Sequence, residues 1–425
     1  MPSSTIVLAS ILLPTLSRFA SIYDEHRNEN ELMDLAKSKL LDSDGPHTLV
    51  DNRLGTLACL SVRFALEFMD ASDIARTQVE RHMRLCLKAT AGRDFLVTLA
   101  GSEPLLAEAA YELMEGTRSN PVNLLANHSD LNCVDRGRRG ELVAALIIMQ
   151  ACDAARAASQ GQRWVCVDAF MQELLSQGKY TILKGSFPTL YRENEKKKFT
   201  ATFKDHGIWF NHVIKVEKEN MLSANHLWKF IMRGAMVMCS NNQEGVDIVI
   251  PICYMKKPLS RNSVTAIMVQ VKNSVTYKLT IDKTLFDRMD PIALGLFPKS
   301  HVVGGVTVKA VDPKPVIRIV FALATSDAGV NFPEARQRQH HPDKFTSFDV
   351  WCAGLGNATY KNIGTSGDLA SYRRLLERAL RPHDGFEFLG DEEGDKKTRL
   401  LRESQRRMMA PLASDKASHH SIHLE

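Results

Sequence analysis

The sequence predicts an α+β protein, with a helical region at about residues 1–130 followed by a mixed sheet flanked by helices. Two observations support this prediction. Before residue 130, apolar residues recur at intervals of three and four, which is the period of an amphipathic helix. From residue 245 onward, short apolar runs of strand length are separated by polar turns. We therefore expect a sheet domain at about residues 135–380.

The helical pattern is clearest in LACLSVRFALEFM, IARTQVERHMRLCLKA and SEPLLAEAAYELM. The third segment begins with a serine and a proline at positions that are typical of a helix start. No strand-like alternation interrupts these segments, so we expect no strand before residue 130. Another helix is predicted at RGRRGELVAALIIMQACDAARAA (136–158). The polar tail from 383 to 425 has few aromatic residues and is predicted to be largely disordered.

Composition limits the location and the partners of the protein. The 425-residue chain is 44% hydrophobic and has a formal net charge of +5, which is compatible with a polyanionic partner. Its apolar N-terminal run, TIVLASILLPTL, is too short to span a bilayer and has no preceding basic residue, so we expect a buried helix there. The eight cysteines show no CxxC spacing and most lie in apolar runs, which favours reduced core thiols over zinc ligands. An intracellular protein, nuclear or cytoplasmic, is expected, with no membrane association.

Polar residues interrupt two neighbouring apolar runs in GVDIVIPICYMKKPLSRNSVTAIMVQVKN (245–273). Asp247 begins the first run, and Gln270 and Lys272 end the second. Because side chains alternate across a strand, Gln270 and Lys272 share a face. If segments 246–252 and 265–272 pair as an antiparallel hairpin, Asp247 reaches the same end of that face. The alternative is that Asp247 caps a turn and Lys272 is a solvated strand end.

A carboxylate, an amide oxygen and an ammonium group at one end of a sheet suit metal-assisted hydrolysis of a phosphodiester. Asp247 and Gln270 offer oxygen ligands of the kind that Mg²⁺ prefers, and Mn²⁺ accepts similar donors. The ion would activate a water molecule and screen the phosphate. Lys272 would orient that water or stabilise the developing negative charge.

This pattern resembles the PD-(D/E)xK nuclease superfamily, which has the restriction-endonuclease-like fold. The motif places an acid on one strand and (E/Q)xK on the next, as Asp247 and Gln270-Val271-Lys272 stand here. The resemblance implies Mg²⁺-dependent cleavage of DNA. The QxK form departs from the commoner ExK and removes one negative charge from the metal site.

The superfamily also has a glutamate on a helix that precedes the motif. Glu141, near the start of the 136–158 helix, is the matching candidate and would be a further metal ligand. A substantial insertion, at about 155–225, would then separate it from Asp247. Glu244 is a local alternative, and a third possibility is that no glutamate completes the site.

A second resemblance covers about residues 50–325. Segments HMRLCLKATAGRDFLVTLAGSEPLLAEAA (82–110), RGRRGELVAALI, IMRGAMVMCSNNQEGVDIVIPI and AIMVQVKN are similar to fungal, mostly mushroom-type, proteins. These resemble the nuclease half of Crinkler-type and mobile-element-like proteins, in which a P-loop NTPase region precedes a PD-(D/E)xK domain. The chain has no Walker-type GxxxxGK[ST] motif, so the P-loop half is absent.

Two basic groups are candidate contacts for DNA phosphates. One precedes the Glu141 helix and the other lies in the loop between the two strands; the residues are Arg136, Arg138, Arg139, Lys256, Lys257 and Arg261. We expect both groups to flank the catalytic end of the sheet. The bland alternative is ordinary solvated loop charge.

These observations predict a metal-dependent DNA endonuclease. The main alternative is a nuclease-fold module that binds nucleic acid or protein without cutting, with the helical region mediating protein contacts. A third hypothesis is a helical scaffold joined to an unrelated sheet. The separation of Asp247, Gln270 and Lys272 in the folded chain discriminates among them.

Overall fold

A computed structural model describes residues 29–377, with gaps at 67, 69–72, 90–95, 117–119, 128–135, 160–161, 193–194, 217–218, 241–242, 304–305, 335–344 and 365. The predicted N-terminal helix and the predicted disordered tail lie outside the described residues. The described chain is α+β, with a helical N-terminal part and a mixed sheet flanked by helices. Within those ranges, no helix has the length and apolar character needed to cross a membrane.

Helices dominate the chain up to residue 158. They are α1 (Glu29–Leu41), α2 (Arg53–Phe64), α3 (Asp73–Arg81), α4 (Pro104–Gly116), α5 (Pro121–Asn127) and α6 (Arg136–Ala158). Asn52 begins α2 as its cap, since its side-chain oxygen accepts a hydrogen bond from the Gly55 N–H at 2.8 Å. The predicted helix at 136–158 is confirmed with the same bounds.

The expectation that no strand precedes residue 130 is wrong. Strands β1 (Arg84–Ala89) and β2 (Leu96–Ala100) form an antiparallel pair. Helix α3 ends at Arg81, and Met83 adopts a left-handed backbone conformation with φ of 60°, which prevents the helix from continuing. The buried Arg84 guanidinium then donates to Thr98 Oγ1 at 2.7 Å and to Ser61 Oγ at 2.5 Å. These hydrogen bonds stabilise the strand conformation of the segment, although its apolar residues recur with a helical period.

The second part of the chain builds the main sheet. Its strands are β3 (Val165–Cys166), β4 (His206–Ile208), β5 (His212–Lys215), β6 (Ala235–Met238), β7 (Ile248–Tyr254), β8 (Val264–Lys272), β11 (Val316–Ala322), β12 (Gly329–Asn331) and β13 (Ser347–Ala353). A separate small hairpin contains β9 (His301–Val303) and β10 (Val306–Val308). The helices are α7 (Val167–Leu174), α8 (Gln177–Gly185), α9 (Phe199–Phe203), α10 (Ala224–Met232), α11 (Lys283–Arg288) and α12 (Ser366–Glu377), with a 3₁₀ turn at Glu219–Leu222.

The predicted hairpin is confirmed at the centre of this sheet. Strands β7 and β8 are antiparallel, with Ile248 opposite Val269 and Cys253 opposite Val264. Strand β8 is parallel to β11, and β11 is parallel to β13. The connection from β8 to β11 contains α11, as a crossover between parallel strands requires. The centre of the sheet therefore consists of the antiparallel strands β6, β7 and β8 and the parallel strand β11, with α6 on one face and α11 on the other.

Each face of the sheet is covered by its own hydrophobic core. Ile248, Ile250 and Val269 belong to a core that also contains the apolar face of α6 and residues of the N-terminal helices. Val249 and Met268 point the other way and pack with residues of α10 and α11. Helix α6 therefore packs on this sheet, with Leu142, Ala145, Leu146 and Met149 all buried.

The N-terminal helices and the sheet share that first core. Ala58 and Leu60 of α2 are buried in the same cluster as Ile248. An ion pair also joins α2 to α6, because Nη2 of the buried Arg63 lies 2.8 Å from Oδ1 of the half-buried Asp153. The segment at 155–225 contributes to the sheet as well, since β4 pairs with both β3 and β7.

Candidate active site

The two motif segments meet at one end of the β7–β8 hairpin. The Asp247 N–H donates to the Val269 carbonyl at 2.9 Å, which extends the ladder one residue before β7 begins. Asp247 Oδ2 in turn accepts a hydrogen bond from the Val271 N–H at 2.5 Å. The carboxylate is thus fixed beside the backbone of the residue that separates Gln270 from Lys272.

Gly245 is needed for this approach. Its φ of 82° lies in the left-handed region, and a Cβ at this position would overlap the carbonyl oxygen of Arg288. The chain therefore passes against the end of α11 immediately before Asp247. Sequence inspection notices the glycine, but only the contact with Arg288 explains it.

Gln270 is a buried polar residue on the strand next to β11. Its side chain is 4% exposed, and its register partner on β11 is Val320. The buried Oε1 atom forms no hydrogen bond within the described part of the chain. An unpaired buried amide oxygen destabilises a fold by about 1–3 kcal/mol, so this atom is a candidate ligand for a cation or an ordered water.

Lys272 ends β8 on the same face as Gln270. Its backbone carbonyl accepts a hydrogen bond from the Leu323 N–H at 2.9 Å, which fixes the strand end against the chain that follows β11. The side chain is half-buried, and its Nζ lies 6.0 Å from the centre of the Tyr277 ring. The ammonium group also acts on Asp247 electrostatically.

The environment of Asp247 disfavours its ionised form. Burial raises the pKa of this carboxyl above its usual range, while the Val271 N–H and the Lys272 ammonium partly oppose the shift. Because the folded-state pKa is raised, ionisation of Asp247 at neutral pH costs stability. A bound cation would reverse this balance by stabilising the carboxylate.

Helix α6 brings Glu141 to the same end of the sheet. Gly140 packs so closely that a Cβ there would lie 3.0 Å from Asn273 Cβ and 3.3 Å from Val271 Cγ1, just past the QxK motif. Burial raises the pKa of the Cys239 thiol, and the charges of Asp247 and Glu141 raise it further. Both carboxylates therefore lie within electrostatic range of one buried thiol.

The alternative acid, Glu244, is in a different position. It is 77% exposed at the side chain and its Oε1 lies 3.6 Å from Arg288 Nε. This surface ion pair directs Glu244 toward α11. Glu244 is therefore an exposed residue that interacts with the end of α11.

These residues form an oxygen-donor set with few charges. The described residues contain no group of three or more His, Cys, Asp or Glu side chains that could hold a metal. Asp247 and the neutral Gln270 amide lie on the face of Val249 and Met268, whereas Glu141 belongs to α6, which packs on the other face at the same end of the sheet. The donors suit Mg²⁺ or Mn²⁺ in type, and the unpaired Gln270 Oε1 supports that fit.

The expectation that the basic loop flanks this site is wrong. Because β7 and β8 are antiparallel, the loop that joins them lies at the opposite end of the hairpin from Asp247 and Lys272. Seven residues of β7 separate the two ends by about 20 Å. In the loop, Lys256 pairs with Asp205 at 2.9 Å and Arg261 donates to the Lys309 carbonyl at 3.0 Å.

The expectation for Arg139 is also wrong. Its side chain is 4% exposed and donates to the Leu375 carbonyl on α12 at 3.5 Å, so it serves packing between helices and does not face solvent. The backbones of Arg136 and Arg138 lie in the first turn of α6. Their side chains lie outside the described residues.

Sequence reasoning missed Cys239, which lies between the site and the end of β6. Its N–H donates to the Asp247 carbonyl at 2.8 Å. No local sequence pattern indicates that Cys239 contacts Asp247, because Cys239 follows an apolar run and resembles an ordinary core residue. Its position became apparent only when β6 was paired with β7.

Comparison with known proteins identifies the family. Residues 50–323 match the family model described as a domain of unknown function (DUF8736), and this match covers more than half of the chain. The chain therefore belongs to that family. No curated protein and no solved structure matches the chain.

Proposed function

We propose that this member of the DUF8736 family is a metal-dependent nuclease that hydrolyses phosphodiester bonds of DNA. The observation that carries the proposal is the convergence of a buried Asp247 and an unpaired Gln270 Oε1 at one end of a hairpin. Lys272 lies on the same face as Gln270, and Glu141 lies at the same end of the sheet on α6, which packs on the other face. A central mixed sheet with antiparallel β6, β7 and β8, a parallel β11 and helices on both faces supports the resemblance to the restriction-endonuclease-like fold.

Asp247, Gln270 and Glu141 would hold the ion. Asp247 Oδ2 is occupied by the Val271 N–H, which leaves Oδ1 without a hydrogen bond to a described residue. Gln270 contributes its Oε1, and Glu141 contributes a second negative charge. When bound, Mg²⁺ or Mn²⁺ would screen the scissile phosphate and lower the pKa of a coordinated water.

The role proposed for Lys272 is to orient the attacking water or to stabilise negative charge on the phosphate during cleavage. Its electrostatic effect on Asp247 supports this role, because the ammonium favours the ionised form of the proposed metal ligand. No described carboxylate lies within ion-pair distance of Lys272. The group is therefore available to interact with a substrate anion.

A binding module without catalysis is the second candidate. The neutral Gln270 in place of an acid weakens metal binding, and the described basic residues of the hairpin loop lie at the far end of the sheet. In this case the fold would bind nucleic acid or another protein, with contacts through the helical N-terminal part. For either activity we propose an intracellular location, in the nucleus or the cytoplasm. Both are in line with the proposed relation to the nuclease half of fungal Crinkler-type proteins.

A cleavage assay tests the proposal directly. The full chain is incubated with supercoiled plasmid and with single-stranded DNA in Mg²⁺, in Mn²⁺ or in excess chelator. We expect metal-dependent cutting that is lost in the Asp247→Asn variant. Intact DNA under all conditions, together with no metal binding by calorimetry, would replace the nuclease proposal with the binding module.

A further inference from the structure

A separate polar cleft lies at the loop end of the β7–β8 hairpin. Its volume is about 360 Å³. Residues of the chain before β4, the hairpin loop and the turn before β11 line it, including Lys197, His206, Tyr254, Lys257 and Lys314. This end of the hairpin is about 20 Å from Asp247, so the cleft is distinct from the candidate active site.

Positive charge dominates the described lining of the cleft. Three of the lining residues are lysines, and Glu195 is the acidic one. Glu195 is already engaged, because it accepts a hydrogen bond from the Thr346 hydroxyl and lies 3.7 Å from Arg192 Nη1.

The lysines differ in how far they are neutralised. Lys314 Nζ lies 3.4 Å from Asp312, whose other oxygen lies 3.1 Å from Arg192. Neither Lys197 nor Lys257 forms an ion pair with a described carboxylate, and Lys257 Nζ lies 5.8 Å from the Tyr254 ring centre. The ammonium groups of Lys197 and Lys257 are thus available to bind an anion in the cleft.

The walls of the cleft are held in place by hydrogen bonds and ring packing. The Thr265 hydroxyl donates to the Pro315 carbonyl at 2.7 Å, which joins β8 to the turn before β11. The Ser263 hydroxyl accepts from the Ser260 N–H at 2.9 Å and fixes the end of the hairpin loop. His206 packs against Tyr254 with ring centres 5.2 Å apart. These contacts hold the end of the hairpin loop, β4 and the turn before β11 in place around the cleft.

We propose that this cleft binds a small organic phosphate, with Lys197 and Lys257 contacting the phosphate group. Lysine ammonium groups are common phosphate ligands and act as compact, mobile donors. The cleft lies at the lower end of the range for small-molecule sites, about 300–1,000 Å³, so it has room for an organic body beside the phosphate. The inference does not depend on the nuclease proposal.

Calorimetry on the full chain tests this inference, with chelator present so that no metal occupies the other site. The probes are ribose 5-phosphate, ribose and inorganic phosphate. We expect ribose 5-phosphate to bind, ribose not to bind, and inorganic phosphate to bind at least about threefold more weakly than ribose 5-phosphate. The Lys197→Ser/Lys257→Ser double variant should lose at least about tenfold in affinity for ribose 5-phosphate.

Lys283→Ser is the matched control, because Lys283 is an exposed lysine at the start of α11 that does not line the cleft. It should retain the affinity of the wild type. The proposal is overturned if ribose 5-phosphate fails to bind at about 10 mM. It is also overturned if the control loses as much affinity as the double variant, or if inorganic phosphate binds as tightly as ribose 5-phosphate. Circular dichroism verifies that all variants fold.

Discussion

Asp247 accepts a hydrogen bond from the Val271 N–H through its Oδ2 atom at 2.5 Å. This bond connects the first residue of the motif on one strand to the centre of the QxK motif on the next. It holds a buried carboxylate beside the strand end where Gln270 and Lys272 lie on one face. The geometry of the candidate site follows from this contact, and the first three predictions test its consequences.

Asp247→Asn should remove metal binding and DNA cleavage while the fold becomes more stable without metal. The amide oxygen of Asn can still accept from the Val271 N–H, whereas the buried charge is removed. Since burial raises the pKa of Asp247, the ionised form costs stability at neutral pH, and we expect the variant to be more stable than the wild type there. Thermal unfolding in chelator measures this gain. A less stable variant would show that the carboxylate stabilises the fold.

Lys272→Ala should slow cleavage by roughly 10²-fold or more while metal affinity stays within a few-fold, if the ammonium acts in the transition state. Lys278→Ala is the control, since Lys278 is an exposed lysine on the segment that follows the same strand. Single-turnover cleavage and calorimetry with Mn²⁺ give the two quantities. A loss of metal affinity equal to the loss of rate would assign Lys272 to the integrity of the metal site.

Gln270→Glu should tighten metal binding, because an anionic oxygen binds a hard cation better than an amide does. Without metal the variant should be less stable than the wild type, since a second buried carboxylate then lies near Asp247. The two effects predict that metal addition raises the melting temperature more for the variant than for the wild type. Equal shifts would indicate that position 270 does not contact the ion.

The buried ion pair between Arg318 and Asp349 should be essential for the sheet. Arg318 donates from Nε and Nη2 to the two carboxylate oxygens at 2.7 and 2.5 Å, and both side chains are at most 3% exposed. Asp349→Asn leaves a buried cation without its partner and should cost roughly 3–5 kcal/mol. Urea denaturation measures the loss. The Arg318→Met/Asp349→Leu double variant should lose less than Asp349→Asn, and a larger loss would contradict this account.

The protein should lose stability in mild acid through His212. Burial, followed by the charges of Arg233 and Arg63, lowers the pKa of this imidazole to about 4. In the unfolded chain the His212 imidazole becomes protonated near pH 6.5. In the folded chain it stays neutral until the pH falls to about 4. The free energy of unfolding is therefore not reduced by His212 above pH 6.5, and it falls by roughly 3 kcal/mol as the pH drops to 4.

The His212→Gln variant tests the origin of this slope. In the wild type the ring contacts Ser102 Oγ at 2.9 Å and Asn211 Oδ1 at 2.8 Å, so it has polar partners on both nitrogens. The variant should be less stable at pH 7 and should show a shallower dependence on pH between 6.5 and 4. Unfolding measured by urea at several pH values gives both results. An unchanged slope would assign the acid sensitivity to other groups, such as His206, whose pKa burial also lowers to about 4.

The sequence by itself determined the parts of the fold that depend on neighbouring residues. The period of apolar residues specified α6 over its full length, and two short apolar runs joined by a polar loop specified the β7–β8 hairpin. Alternation along a strand then placed Gln270 and Lys272 on one face. These features are local, so periodicity and loop length are sufficient to predict them.

Only the tertiary structure decided which distant residues meet. Helical periodicity in residues 82–89 gave way to a strand because Arg84 binds Thr98 and Ser61. The direction of the hairpin placed Lys256 and Arg261 far from Asp247, and the packing of α12 buried Arg139. Helix α6, with Glu141 in its first turns, packs on the face of the sheet that contains Val269, about a hundred residues away from Asp247 in the sequence. Such contacts depend on the path of the whole chain, and a local pattern carries no information about that path.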